Sequence, residues 1–457
     1  MRLLPMAGDP SGSGANMSLR TGTFRIRDQQ AGLPGLMGRR GVPLGVPLPF
    51  LVTGSCLAAL AGLLFPFVLP EALVNRGQPH VLALVHTVTL GWLTMTILGA
   101  SQQLTPVIAV TPLRLTKLTP LVYPLYLSGV LALLVGFWFF LPWLLVLGGS
   151  LVIVAVLCYV AILMTTLLFA SKRPLTVFYL FSALLYLCLV VGLGITAALN
   201  FVYGFLGLGA LLVLPLHVTL GVAGWLTNTL VGVSYTLVRL FALVHDHDDR
   251  LGWAVLGLLN LGIVSLALGL LGGAAWMTLP GGLMLAVSAW LFGWDYWRML
   301  RRRRRRPLDV TQYHGIAALV CFLVAATALP ALMVGGSSLA TWPVALLLCL
   351  LIGWTGQSVV GYLYKIVPFL VWHSRYGPLV GHQKVPLMRE LVHERLAWAC
   401  FWLLNAGLIL LIPASILGWD GLLRLGAAFV GGSLLGAASN VFGVVRHLEW
   451  KLSTLRS

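Results

Sequence analysis

LGWLTMTILG at residues 90–99, AGWLTNTLVG at 223–232 and IGWTGQSVVG at 352–361 are three copies of one pattern. In each copy a Gly-Trp pair is followed, after six further residues, by a second glycine: Gly91-Trp92 and Gly99, Gly224-Trp225 and Gly232, Gly353-Trp354 and Gly361. The copies start 133 and 129 residues apart in a chain of 457, so the segment recurs at thirds of the length. A repeat at a fixed period marks a chain built from related units. The first and third copies also end alike, at Pro106 and Pro368, where Arg239 stands in the second.

The likeness continues beyond the copies. Arg250, Leu251, Trp253, Ala254, Leu258, Leu259, Asn260 and Gly262 follow the second copy. Arg395, Leu396, Trp398, Ala399, Leu403, Leu404, Asn405 and Gly407 follow the third at the same internal spacing, after a longer loop near 373–390. Trp143 with Gly148-Gly149 matches Trp276 with Gly281-Gly282.

The chain is 59% hydrophobic and 9% charged, too few charges to cover a soluble surface. Apolar runs long enough to cross a bilayer, which takes roughly 20 residues each, recur from about residue 48 onward. They give an all-α polytopic membrane protein of about 12 transmembrane helices in three pseudo-equivalent four-helix units, at 47–172, 173–306 and 307–457. The repeated segment is the second helix of each unit. The stretch 205–243 exceeds one straight span, so part of it is expected to form a loop or turn outside the bilayer. Residues 1–46, rich in Gly, Ser and Arg, read as a disordered basic cytoplasmic tail.

A net charge of +17 invites a nucleic-acid reading, but its placement argues for a lipid bilayer as the partner instead. With the N-terminus inside, every Lys and Arg except Arg76 and Arg424 falls at the cytoplasmic side, the positive-inside pattern. Both termini are then cytoplasmic, and the run Arg301 to Arg306 is an inner loop. The six cysteines sit singly within spans with no metal-ligand or redox spacing.

The histidines carry the chemistry. His86 precedes Gly91 by five residues and His217 precedes Gly224 by seven. Both lie inside spans one or two turns from the outer surface, where an ionisable side chain needs a partner or a function. Imidazole is the commonest side-chain ligand for metals and haem iron. His80, nearer the surface, is a further metal candidate alongside His217. His245 and His247, in the run HDHDD at 245–249, form a possible cytoplasmic metal site or a solvated loop. The repeated glycines admit two readings, helix packing or room for a flat macrocycle.

Twelve helices, three four-helix units, an inside N-terminus and a histidine near the outer end of helix 2 resemble subunit I of the haem–copper oxidases and nitric oxide reductases. The segment HTVTLGWLTMTILGASQQLTP at 86–106 resembles the helix-2 signature of the NnrS family of haem- and copper-containing membrane proteins, and HVTLG at 217–221 is similar to a second histidine helix of that kind. The resemblance implies a bacterial inner-membrane protein that binds haem b, with copper as a further cofactor. His86 would be one axial ligand, and His217 the second ligand or a copper ligand. A cytochrome or other redox subunit would be its partner, and its role electron transfer or binding of NO or O2. The chain departs from the oxidase pattern. Trp253 to Ile263 has no His pair, Thr341 to Leu350 has no histidine, and Pro-Glu-Val-Tyr does not follow His217. A conventional oxygen-reducing centre is therefore not expected. The alternatives are a membrane transporter and a cofactor-free oxidase-like subunit or assembly factor.

Overall fold

The computed structural model describes residues 42–244, 246–304, 307–335 and 341–451. Twelve helices there are long and apolar enough to cross a membrane. They are α1 (Pro47–Val74), α2 (Pro79–Ile108), α3 (Thr119–Trp138), α4 (Pro142–Leu168), α5 (Leu175–Tyr203), α6 (Ala210–Ala242), α7 (Arg250–Gly272), α8 (Ala275–Arg301), α9 (Val310–Gly335), α10 (Trp342–Arg375), α11 (Glu394–Leu417) and α12 (Asp420–Val445). The protein is an all-α polytopic membrane protein. Proline opens α1, α2 and α4 at their first turn, where its missing N–H has no helical partner to lose.

The stretch at 205–243 contains a turn, as expected, but a short one. The turn occupies only 204–209, and α6 runs unbroken for 33 residues. A helix longer than the hydrocarbon thickness is accommodated by tilting, kinking or local thickening of the bilayer, and α10 is as long, at 34 residues.

Each repeated Gly-Trp segment is locally π-helical over eight residues, at Thr87–Thr94, Leu220–Thr227 and Cys349–Gly356. The Gly-Trp pair stands fifth and sixth in all three. The glycines of the pattern have one packing role. A Cβ on Gly91, Gly224 or Gly353 would strike Leu57, Tyr186 or Cys321, and a Cβ on Gly99, Gly232 or Gly361 would strike Phe50, Tyr179 or His314. In every case the two residues struck are seven apart on the preceding helix. The third and fourth helices of each group of four approach backbone to backbone. Gly129 faces the carbonyl of Gly148, Gly262 that of Gly281 and Gly407 that of Gly426, each 2.8–3.0 Å from where a Cβ would stand. Gly62 and Gly431 make a similar contact between α1 and α12 and close the ring.

At the centre α2, α6 and α10 meet. The Trp225 indole donates to Thr94 Oγ1 at 3.1 Å, and Ser234 and Tyr362 share a hydroxyl hydrogen bond of 2.7 Å. The Trp92 ring lies against Gly356, where a Cβ would be 2.6 Å from it. Trp92, Trp225 and Trp354 are all buried. The most apolar stretch of α2 is 72% buried and that of α10 83%, against 33% for α6, so α6 is the central helix left most open.

Gly273 and Gly418 end α7 and α11 in the left-handed conformation, eleven residues after Gly262 and Gly407. Eleven residues after Gly129 the chain instead places Phe140, at φ 52°. That conformation costs a side-chain-bearing residue roughly 1–2 kcal/mol.

Two substitutions test this packing. Gly407→Val puts branched atoms onto the backbone of α12 and should lower the thermal midpoint in mild detergent, at a cost of roughly 1–3 kcal/mol. Gly257→Ala, with nothing within 4 Å of the added carbon, should leave the midpoint unchanged or raised. Equal losses in both would contradict the contact geometry.

Candidate functional site

The π-helical segments swing the helices so that α2 and α6 each aim a histidine at one space. His86 immediately precedes the first π segment and His217 lies three residues before the second. Both line a cavity of about 260 Å³ between α2–α6 and α10. The wall is otherwise almost wholly apolar. Phe137 stacks on the His86 ring at 4.8 Å, and Tyr126, Trp225, Leu347 and Leu351 fill other sides. Phe201 and Leu214 line the cavity and are themselves 46% and 57% exposed, so it opens sideways between the ends of α5 and α6.

Both imidazoles are held the same way. His86 Nδ1 is 2.7 Å from the Leu82 carbonyl, and His217 Nδ1 is 3.1 Å from the Val190 carbonyl on α5. A carbonyl can only accept, so each Nδ1 donates its hydrogen and each neutral ring keeps an Nε2 lone pair. This is the arrangement metal-ligating histidines use, with the second nitrogen fixed by a hydrogen-bond acceptor. Gly194 gives the His217 ring its room, since a Cβ there would be 3.2 Å from Cε1. Tyr126 donates its hydroxyl to the Leu90 carbonyl in the first π segment at 3.1 Å.

The other sequence candidates lie elsewhere. His80 does not join the cavity. It is 48% exposed, 3.7 Å from Glu71, and packs on Trp138. His245 lies outside the described residues. His247 is no member of a solvated loop: its side chain is fully buried, with Nε2 3.1 Å from an Asp295 carboxylate oxygen that is equally buried. Arg298 approaches the same oxygen at 3.4 Å. Among the described residues no three His, Cys, Asp or Glu side chains gather in a way that would hold a metal ion.

The polar residues of the central helices find partners. Gln357 donates to Asn405 at 3.1 Å, Asn260 and Ser182 both approach Asn228, and Lys365 pairs with Asp309 at 2.5 Å. Arg239 pairs with Asp249 at 3.0 Å. Sequence reasoning missed Asp295, although a carboxylate inside the apolar run of α8 was a visible signal. It also missed that Cys321 meets α10 directly, with its Sγ 2.7 Å from where a Cβ on Gly353 would stand.

The chain matches no protein-family model, and no curated protein sequence matches it. The site therefore stands on its own geometry.

The buried His247–Asp295 pair generates a prediction. His247→Ala leaves the carboxylate with only Arg298, which is 30% exposed, and breaking a buried pair costs roughly 3 kcal/mol or more. Chemical denaturation in mild detergent should show that loss. His247→Leu combined with Asp295→Leu should recover most of it, because no buried charge is then stranded. An unaltered stability of His247→Ala would mean the pair contributes nothing.

Proposed function

We propose that the protein binds haem b in the cavity between α2 and α6, with His86 and His217 as the axial ligands, and serves electron transfer or the binding of a diatomic gas such as NO or O2. The observation that carries this is the pair of imidazoles with Nδ1 fixed on backbone carbonyls and Nε2 left free toward one apolar cavity. The donor set suits a porphyrin better than a bare ion. A bare divalent ion would find two protein ligands where structural sites supply four, whereas a porphyrin brings four nitrogens of its own and needs only the axial pair. Copper is the weaker candidate for the same reason.

The residues present fit the group. Phe137, Trp225 and the leucines of the wall exclude water, and Gly194 makes room for the His217 ring itself. No Lys or Arg lines the cavity, so the carboxylates of a porphyrin would have to reach its open mouth. When bound, the iron supplies one-electron redox chemistry or a coordination site for a gas. The Leu82 and Val190 carbonyls keep the imidazoles in the right tautomer and orientation. His217 stands near the end of the stretch 210–219, which buries only Leu216. A group held by both histidines would be suited to electron transfer, whereas one held by His86 alone would offer a place for a gas.

The same site is consistent with the haem–copper oxidase-like, NnrS-like reading. The chain would lie in a bacterial cytoplasmic membrane with its basic loops inside, and His86 and His217 would fall in the outer half of the bilayer.

Purified protein expressed with adequate haem supply should give a b-type reduced-minus-oxidised spectrum and about one haem per chain by pyridine haemochrome. His86→Ala should remove or shift that band. His217→Ala should retain haem and gain a carbon monoxide-sensitive spectrum, and Gly194→Leu, which crowds the His217 ring, should act in the same direction. Absence of haem from the wild-type protein would overturn the proposal.

A further inference from the structure

One side of α8 is built of large side chains that the described bundle leaves uncovered. Leu283, Val287, Trp290, Trp294, Trp297 and Arg301 follow one another at alternating spacings of four and three residues, which puts them on one face of a helix. All six are exposed. The three glycines of α8 point elsewhere. A Cβ on Gly281 would strike Leu266 of α7, and one on Gly282 or Gly293 would meet Met333 or Leu323 of α9. Small residues mark the sides on which membrane helices pack together, so the side built of tryptophans is the one turned to lipid.

That face is ordered by its own contacts. The Trp294 and Trp297 rings are 4.8 Å apart, and the Arg301 guanidinium lies 4.7 Å from the centre of the Trp297 ring, a cation–π stack. The Trp290 indole donates to Thr327 Oγ1 on α9 at 3.1 Å. Membrane tryptophans ordinarily gather at the interface with water. Trp290 precedes Arg301 by eleven residues, about 16 Å along the helix and so roughly halfway through the hydrocarbon core, where an interfacial belt does not account for it. Beyond Arg301, Arg302 donates to the Asp246 carbonyl at 3.1 Å and Arg303 to the Leu300 carbonyl at 2.9 Å, and Arg304 is exposed. Asp248 and Asp249 of the adjoining loop face Arg250 and Arg239 instead.

We propose that this face of α8 binds one anionic phospholipid from the leaflet on that side, with its phosphate on the arginines from Arg301 to Arg304 and an acyl chain lying along the tryptophans. Charge and shape point the same way. Four consecutive guanidinium groups attract a phosphate, and their planar forks match its oxygens. The rigid indoles give the chain a continuous apolar wall. Because the Arg301 guanidinium is seated on Trp297, it is held where headgroup and chain join. A soluble anion would meet the arginines alone, and a zwitterionic lipid would bring the wall a chain but the arginines no net charge. A protein helix is disfavoured, since the large rings keep its backbone at a distance.

The test is native mass spectrometry of the full chain in mild detergent, titrated with phosphatidylglycerol or with phosphatidylcholine of the same acyl chains. One phosphatidylglycerol should be retained at concentrations where phosphatidylcholine is not. Arg301→Gln should weaken that retention about fivefold. Arg301→Lys, which keeps the charge and loses the planar stack, should fall between the two. Trp297→Leu keeps every charge and an apolar side chain, and should also weaken retention. Arg173→Gln removes the same charge from the exposed loop between α4 and α5 and should leave it unchanged. Equal retention of the two lipids, equal losses from Arg173→Gln and Arg301→Gln, or displacement of the lipid by millimolar inorganic phosphate would overturn the proposal.

Discussion

Close approach of backbone to backbone is the constraint on which this molecule rests. Lipid tails are as apolar as leucine, so helices in a bilayer gain little from hiding apolar side chains from each other. Contact itself has to hold them together. Gly129 on Gly148, Gly262 on Gly281, Gly407 on Gly426 and Gly62 on Gly431 provide it. Each pair removes the side chains that would keep two helices apart, and the third and fourth helices of each unit then lie together along their length. Once the outer helices are locked this way, α2, α6 and α10 are held at the centre with their tryptophans inward, and the space left between units becomes available for chemistry.

The π-helical segments turn that scaffold into a site. Such segments are uncommon and concentrate at functional places in helices, and here all three begin four residues before a Gly-Trp pair. They recur in the third unit, which has Leu348 where the first has His86. Their first role is therefore to pack the centre. Only in α2 and α6 does a histidine stand shortly before the widened turn, and for His217 Gly194 and the Val190 carbonyl on α5 complete the seat. A device of the whole architecture has been given a chemical use at one interface.

Much of this was legible in the sequence because it rests on local pattern. The repeated glycines, the span count and the histidines at a common depth all follow from spacing along one helix. The unbroken length of α6 was not legible, because a Gly-rich apolar run does not say whether it turns or tilts. The burial of His247 was hidden too, since its partner Asp295 lies 48 residues away on another helix. The Val190 carbonyl that orients His217 leaves no trace in sequence, because every residue has a carbonyl. The contact of Cys321 with Gly353 also depends on how α9 crosses α10. In each of these cases the missing information is a relation between helices, which no single-helix periodicity contains.

The open half of α6 bears on how such a protein is made. Residues 210–219 bury only Leu216, so undocking them sacrifices few contacts, and regions of that kind open first while the rest of a fold stays intact. The helices can therefore insert and assemble around their glycine contacts before the cavity is filled. On the haem-binding proposal, a large flat guest would come in from the side, through the gap beside Phe201 and Leu214, with no need to prise the bundle apart. Loading of the cavity would then be separable from insertion, because one central helix is left incompletely packed.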